Sequence, residues 1–356
     1  MLIPTIETLL ISLLGAFVFH YAHIPLPFIL GPMTAVTAWR LLTKRQLAWP
    51  SSLRNTGLLI LGCMLGSSFT RDTVGEFAHD LPLMLLATLL LIGFSLFLGY
   101  WVARASKVNM ITAIFGFVPG GLTQMVAIAD EIPKVDITIV TFMQTVRLMG
   151  VIFIVPFLAV HGIGGGVVDT HAVSPMTSPF ALNLPDVPTY SWPAYIAAAL
   201  GGAWIAQRIK LQGAFLLGPL FSVAMMVLFG LPTPQLPNLL VTAGQLLIAA
   251  HLGLSIKPGA LKNAKLTSLT VLSSIVLVLF SLLLGWLLSL LSHMETITGF
   301  LSTAPGGMAE MGVTAKMVDA DLSMVSGYHL FRLFFIMFVL PPLLQWWVRR
   351  RAVKLQ

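Results

Sequence analysis

The sequence predicts an all-α, polytopic membrane protein built from two copies of one membrane unit that face opposite ways. Three observations predict it: a composition that needs lipid as its solvent, ten apolar runs of roughly spanning length, and residue matches between the halves at a near-constant offset. Of the 356 residues, 57% are hydrophobic and only 9% charged, whereas soluble domains are about 45–50% apolar and about 25% charged. That balance excludes a soluble enzyme. The formal charge of +7 is scattered singly and in small groups between the apolar runs, so it reads as a topology signal rather than a nucleic-acid surface. Cys63 is the single cysteine, which excludes a disulfide framework or a cysteine metal site and leaves the redox compartment undefined. No Lys or Arg precedes Arg40, so the basic segment of a cleaved leader is missing and the N-terminus is expected to be retained.

The apolar runs cover Thr5–Ala22, Phe28–Leu42, Gly57–Thr70, Leu81–Ala103 and Ile137–Ala159, then Tyr190–Ala206, Ala214–Leu231, Leu239–Ile256, Leu266–Leu291 and Leu322–Trp347. About 17–25 residues are needed to cross a bilayer as a helix. Between the last two runs of each series lies a less regular apolar element broken by Pro119-Gly120-Gly121 or Pro305-Gly306-Gly307. The predicted organisation is therefore repeat 1 over 1–162, a polar linker over 163–189 and repeat 2 over 190–356. Phe28-Ile29-Leu30-Gly31-Pro32-Met33 answers Phe215-Leu216-Leu217-Gly218-Pro219-Leu220, and Gly57, Leu65, Gly66 and Ser68 answer Gly244, Leu252, Gly253 and Ser255. After one gap, Asp136, Gln144, Arg147 and Pro156 answer Asp321, His329, Arg332 and Pro341. Matching in order across six apolar elements is a duplication signal.

Charge decides which way the second copy faces. With twelve full crossings and a cytoplasmic N-terminus, the eighteen Lys and Arg outside the spans divide ten inside to eight outside. If each Pro-Gly-Gly element dips in and returns, each half has five crossings and sixteen of the eighteen fall inside, with only Arg71 and Lys316 outside. The linker, which has no Lys or Arg, then lies in the periplasm, and both termini are cytoplasmic. The positive-inside rule favours inversion and a bacterial inner-membrane location.

Interrupted helices in inverted repeats expose backbone N–H and C=O groups near the membrane midplane, where transporters bind solutes. Pro removes a donor and Gly permits close approach, so these motifs can end a helix inside the membrane. The candidate binding residues are Gly120, Gly121, Thr123 and Gln124 in the first copy and Gly306, Gly307 and Glu310 in the second, with Gln124 and Glu310 at the same repeat position. An acidic group embedded in a membrane is costly and marks an ion or proton pathway by default, so Glu310 is the first candidate for a coupling-ion site; the bland reading is an interfacial Glu in water. Arg147 and Arg332 lie about ten residues into their final spans, roughly 15 Å deep at the helical rise. Each either offers its planar fork to a carboxylate or phosphate or serves structurally, pairing with Asp130, Asp136, Glu310 or Asp321 or bonding the carbonyls of the broken elements. Gln144 and His329 lie one turn before these arginines and complete the set. Gly31-Pro32 and Gly218-Pro219 read as packing or kink positions. His20-x-x-His23 is the best His spacing, which gives a metal enzyme little support, and no Walker-type loop is present for ATP-driven pumping.

The runs Leu30-Gly31-Pro32-Met33, Ile60-Leu61-Gly62-Cys63-Met64, Pro119-Gly120-Gly121 with Met125-Val126-Ala127, and Phe142-Met143-Gln144 with Val146-Arg147 resemble the AbrB-type membrane proteins, which have a duplicated membrane domain. So do Leu217-Gly218-Pro219 and Ala304-Pro305-Gly306-Gly307-Met308-Ala309-Glu310-Met311, and the resemblance covers nearly the whole chain. It implies a fold similar to the cation/proton antiporter and anion transporter superfamily, and some members carry labels of gene-expression regulator or ammonia monooxygenase. The reading is an ion-coupled secondary transporter of a small, anionic solute, driven by H⁺ or Na⁺. The alternative is a membrane-embedded sensor that regulates gene expression indirectly, and a membrane monooxygenase is third. No enzymatic activity and no cofactor are expected. The expected partners are the solute or ion and the lipid bilayer, without direct nucleic-acid contact; a homo-oligomer is compatible with the sequence.

Overall fold

A computed structural model of the chain describes residues 2–119, 135–163, 191–231, 233–234, 236–255, 264–292, 294–340 and 342–343. The described residues are all-helical and contain no strand. The helices are α1 (Leu2–Tyr21), α2 (Pro27–Thr43), α3 (Ser51–Gly66), α4 (Arg71–Ser106), α5 (Met110–Phe117), α6 (Ile137–Leu158), α7 (Ser191–Arg208), α8 (Ala214–Leu228), α9 (Asn238–Ser255), α10 (Ala264–Ser292), α11 (Thr296–Thr303), α12 (Met308–Met317) and α13 (Leu322–Phe338). A π turn, Ala159–Ile163, extends α6.

Five of these segments are long and apolar enough to cross a membrane: Ile3–Tyr21, Arg71–Ser106, Ile137–Ile163, Asn238–Ser255 and Ala264–Ser292. Their outward residues are apolar too. On α10, Val271, Leu272, Ile275, Leu279, Leu283, Trp286 and Leu290 are all exposed, a lipid-facing stripe that water would not tolerate at this scale. At the helix ends Arg104 lies over the Tyr100 ring and Arg208 over the Trp204 ring, at 5.3 and 5.1 Å, the aromatic and cationic anchors typical of a membrane boundary. Two helices exceed the apolar runs that announce them. α4 begins at Arg71 rather than Leu81, because Thr70 and Thr73 cap its first turn reciprocally through their hydroxyls and Asp72 favours the N-terminal dipole. α3 begins at Ser51, directly after Pro50, so its first turn is polar.

The chain divides into two compact units that cut across the sequence halves. Unit 1 comprises Met1–Ala78, Pro156–Ser255 and Gly312–Ser323; unit 2 comprises His79–Val155, Ile256–Met311 and Met324–Gln356. In unit 1, α1 packs on α2 and α7 packs on α8 through glycines that approach backbone to backbone. A side chain on Gly15 or Gly31 would collide with the partner helix, and a Cβ on Gly202 would meet the Gly218 carbonyl and Ser222 Oγ, each at 2.5 Å. The turns before α2 and α8 also agree at positions 187 apart: His23 and Lys210 have φ of 55° and 56°, and Leu26 and Gly213 have φ of 52° and 72°. Gly66 and Gly253, likewise 187 apart, make reciprocal contacts. Gly66 abuts Leu220 and Val223, while Gly253 abuts Met33 and Val36. Gly57 packs directly on the Gly244 carbonyl.

In unit 2, Leu91, Leu98 and Val102 of α4, Ala113 and Phe117 of α5, Phe142 and Met143 of α6 and Leu277 and Leu284 of α10 form one buried core. A second cluster joins Phe115 and Val118 to Val140 and Ile336. Phe94 stacks on Phe280, 186 positions later, with ring centroids 4.0 Å apart. Gly99 abuts Ala113 and Ile114, and Gly285 abuts Gly299 and Phe300 in the same way.

The glycine seams predict an asymmetric mutational response on α7. Gly202→Val costs about 1–3 kcal/mol through overpacking, whereas Gly201→Ala, with open space around its Cβ, is neutral or stabilises by about 0.5–1 kcal/mol. Thermal unfolding of the two variants in one detergent compares them directly.

Candidate functional site

Helices α5 and α11 have only 8 residues each, about 12 Å at the helical rise, so they end far short of a bilayer's width. A helix end leaves four carbonyls without intrahelical donors, and lipid supplies none. The final helix of each half answers this need with an arginine. Arg147 on α6 donates from Nη1 to the carbonyls of Phe117 and Val118, at 2.6 and 2.9 Å. Arg332 on α13 donates from Nη1 to Ala304 and Thr303, at 2.7 and 3.4 Å, and from Nη2 to Gly306, at 3.0 Å. Hydroxyls tie both ends to the neighbouring long helices. Ser95 on α4 donates to the Phe117 carbonyl, and Thr303 Oγ1 donates to the Ser281 carbonyl of α10 at 2.7 Å.

The helices that carry the arginines are anchored alike. Asp136 accepts from the backbone N–H of Thr138 and Ile139 and so caps α6. Asp321 accepts from the N–H of Ser323 and caps α13. One turn before each arginine sits a buried polar side chain: Gln144 Nε2 donates to the Phe115 carbonyl at 2.9 Å, and His329 Nδ1 lies 3.0 Å from the Val325 carbonyl. Since only a carbonyl oxygen is available there, Nδ1 carries the proton and Nε2 is left as an acceptor. Among the described residues, Gln144 Oε1, His329 Nε2, Arg147 Nε, Ser302 Oγ and Ser326 Oγ are buried and have no hydrogen-bond partner.

Arg147 and Arg332 are 5% and 6% exposed and lie in the same unit. The ion pairs among the described residues are Arg45–Glu7 and His79–Asp80, and neither includes these arginines. Buried charge is ordinarily paired; here carbonyl dipoles answer it. Between α11 and α12 the chain runs through Ala304, Pro305, Gly306 and Gly307. Glu310, in the first turn of α12 and 8% exposed, folds its carboxylate back over Gly307, where any Cβ would overlap it. Glycine at 307 is what makes room.

Of the residues picked from the sequence, Gln144, Arg147, Gly306, Gly307, Glu310, His329 and Arg332 thus fall in unit 2. Gly120, Gly121, Thr123 and Gln124 lie outside the described residues. Of the two roles open to the arginines, carbonyl capping is realised. Gly31 and Gly218 are packing positions, as their contacts with Gly15 and Gly202 demonstrate. Sequence reasoning missed Asp80 on α4, whose buried carboxylate receives the Tyr328 hydroxyl at 3.4 Å; its place at the edge of the Leu81–Ala103 run was the available signal. It also missed Ser95 and Ser281, which a match 186 positions apart would have found. No group of three or more His, Cys, Asp or Glu able to hold a metal occurs among the described residues.

Residues 28–348 match the family model AbrB, described as transition state regulatory protein AbrB. The chain is 28% identical over 343 residues to a protein of Escherichia coli (strain K12) named "Putative regulator AbrB", covering 94% of this chain and 93% of that one. It is 27% identical over 358 residues to the uncharacterized protein YhjN of Bacillus subtilis (strain 168), covering 93% and 90%.

The bond pattern predicts unequal costs. Arg332→Ala, which removes the donor from three carbonyls, lowers stability by about 2–4 kcal/mol, and Arg147→Ala, after which Ser95 still answers Phe117 and only Val118 loses its donor, by less, at about 1.5–3 kcal/mol per charged hydrogen bond before compensation. Lys at either position recovers part of the loss, since one ammonium cannot reproduce the fork. Melting temperatures of the four variants rank them.

Proposed function

The chain belongs to the AbrB family, and we propose that it is a secondary transporter of a small anionic solute, coupled to H⁺ or Na⁺. The observation that carries this reading is the pair of buried guanidiniums at the carbonyl ends of two short helices. Two positive charges in low dielectric attract an anion strongly, and the buried acceptors Gln144 Oε1 and His329 Nε2 add hydrogen-bond selectivity for a solute that also carries a donor. Glu310 is the group that takes the coupling ion, because its carboxylate is buried in the first turn of α12 beside the same break.

The halves are inverted copies in this account, with the Pro-Gly-Gly elements dipping into the membrane and returning. The reciprocal contacts of Gly66 and Gly253 and the packing of Phe94 on Phe280 support a two-fold relation, since such contacts are self-complementary only about a two-fold axis. The distribution of Lys and Arg supports an axis in the membrane plane. Arg147, Gly306, Gly307, Glu310 and Arg332 fall in unit 2, and alternate exposure of their site to the two faces is the motion that transport requires. The chain lies in the inner membrane with both termini in the cytoplasm.

A second reading, a sensor that regulates gene expression indirectly, is favoured by the name of the Escherichia coli relative. Solute flux without a stoichiometric cytoplasmic partner separates the two. Proteoliposomes loaded with a panel of small organic acids and given a proton or sodium gradient are expected to show uptake of at least one. Glu310→Gln is expected to abolish the gradient dependence while leaving exchange at equal concentrations. If a folded protein moves no anion under any gradient, the transport reading fails.

A further inference from the structure

Unit 2 contains a second buried acidic side chain, away from the breaks. Asp80 sits at the start of the apolar part of α4, two residues before Pro82, which cannot donate a backbone hydrogen bond and so leaves the carbonyl one turn earlier open. The Asp80 side chain is 7% exposed, yet its Oδ1 lies 3.1 Å from Nδ1 of His79, whose own side chain is 86% exposed. On the other side, Tyr328 of α13 turns its hydroxyl to Asp80 Oδ2 at 3.4 Å, and Tyr328 is itself buried. A carboxylate that is buried on the protein side and joined to water by one titratable ring is wired in a particular way. Among the described residues, the titratable groups that face it are His79 from its own helix and Tyr328 from α13. A purely structural acid at a membrane boundary would be expected beside Arg or Lys, which hold their charge; a ring with two nitrogens, one toward Asp80 and one toward water, is built to pass a proton.

We propose that His79, Asp80 and Tyr328 form a proton-uptake site, with His79 as the antenna, Asp80 as the acceptor and Tyr328 as the group that holds and senses the acceptor. A proton from water binds His79 Nε2. The Nδ1–H bond then breaks as an O–H bond forms on Asp80 Oδ1, which leaves the ring as the neutral Nε2–H tautomer and the aspartate as a neutral acid. The exposed ring resets by exchange with water. Tyr328 donates to Oδ2 throughout, so it feels the loss of charge on Asp80, and it belongs to the same helix as His329 and Arg332. Protonation at the surface is thereby reported to the helix that caps the α11 break. The role in coupling rests on the transport reading, but proton binding does not and is tested without any solute.

The experiment is infrared difference spectroscopy of the full chain in nanodiscs, stepped from alkaline to acidic pH. A carboxylic C=O band is expected to appear on acidification, to be lost in Asp80→Asn and to shift in Tyr328→Phe, where the hydroxyl donor is gone. In His79→Gln the same band should appear more slowly after a rapid pH step, by about a hundredfold, the lower end of what positioned proton transfer contributes. If Asp80→Asn fails to fold, the Tyr328→Phe shift carries the assignment alone. A spectrum in which no acid band responds to Tyr328→Phe or Asp80→Asn, or a His79→Gln protein that loads at the wild-type rate, overturns the proposal. Anion flux in the proteoliposomes above is read separately, so either idea can fail without the other.

Discussion

A guanidinium donating into the open carbonyls of a helix that stops inside the apolar layer is the interaction on which unit 2 depends. α5 and α11 end among buried residues, where every unanswered carbonyl costs on the order of a few kcal/mol. Arg147 and Arg332 answer them from neighbouring helices, so the short helices and the final helix of each half are bound into one arrangement. The same contact leaves positive charge in the interior, offset by carbonyl dipoles. Structure and binding chemistry therefore have one origin: the residue that allows the helix to stop also creates the field that draws an anion to the break. Arginine elsewhere in the chain works similarly, with Arg40 donating to the Leu254 carbonyl near the end of α9 and Arg71 donating to the Leu228 carbonyl at the end of α8.

Unit 1 is held by a different constraint. Its helices meet through glycine pairs, Gly15 with Gly31 and Gly202 with Gly218, in which close backbone approach replaces the hydrophobic drive that lipid cannot supply. Polar side chains bridge its helices as well, with Thr37 reaching the Gly253 carbonyl, Trp49 the Leu247 carbonyl and Trp39 the Glu7 carboxylate. Unit 2 has glycine contacts of its own at Gly99 and Gly285 and adds to them the buried arginines that pin its short helices.

Much of this was legible in the sequence because lipid imposes simple rules. Long apolar runs mark the helices, and matched residues such as Asp136 and Asp321 or Arg147 and Arg332 occupy matched places. Helix starts were less legible. The first turns of α3 and α4 are polar, and helix formation there depends on Pro50 and on the Thr70 and Thr73 hydroxyls rather than on hydropathy. That the arginines bond carbonyls of the broken elements was one of the readings the sequence offered, but which carbonyls was not legible, since a backbone carbonyl is the same whatever its side chain. Asp80 was overlooked for a related reason: its burial is created by Tyr328, about 250 residues away in the chain, and nothing in its immediate neighbours announces that contact. Gly307 was legible as a helix breaker but not as the space occupied by the Glu310 carboxylate.

The central claim is that the two halves face opposite ways, because only then do the two arginine-capped breaks enter the membrane from opposite faces. Cysteine accessibility in intact cells tests it most directly. In a Cys63→Ala background, single cysteines are placed at Thr138, at the start of α6, and at Lys316, in the last turn of α12, both exposed, and challenged with a membrane-impermeant maleimide. The account predicts that position 316 is labelled from outside and position 138 only after the membrane is permeabilised. Labelling of both from the same side would contradict it.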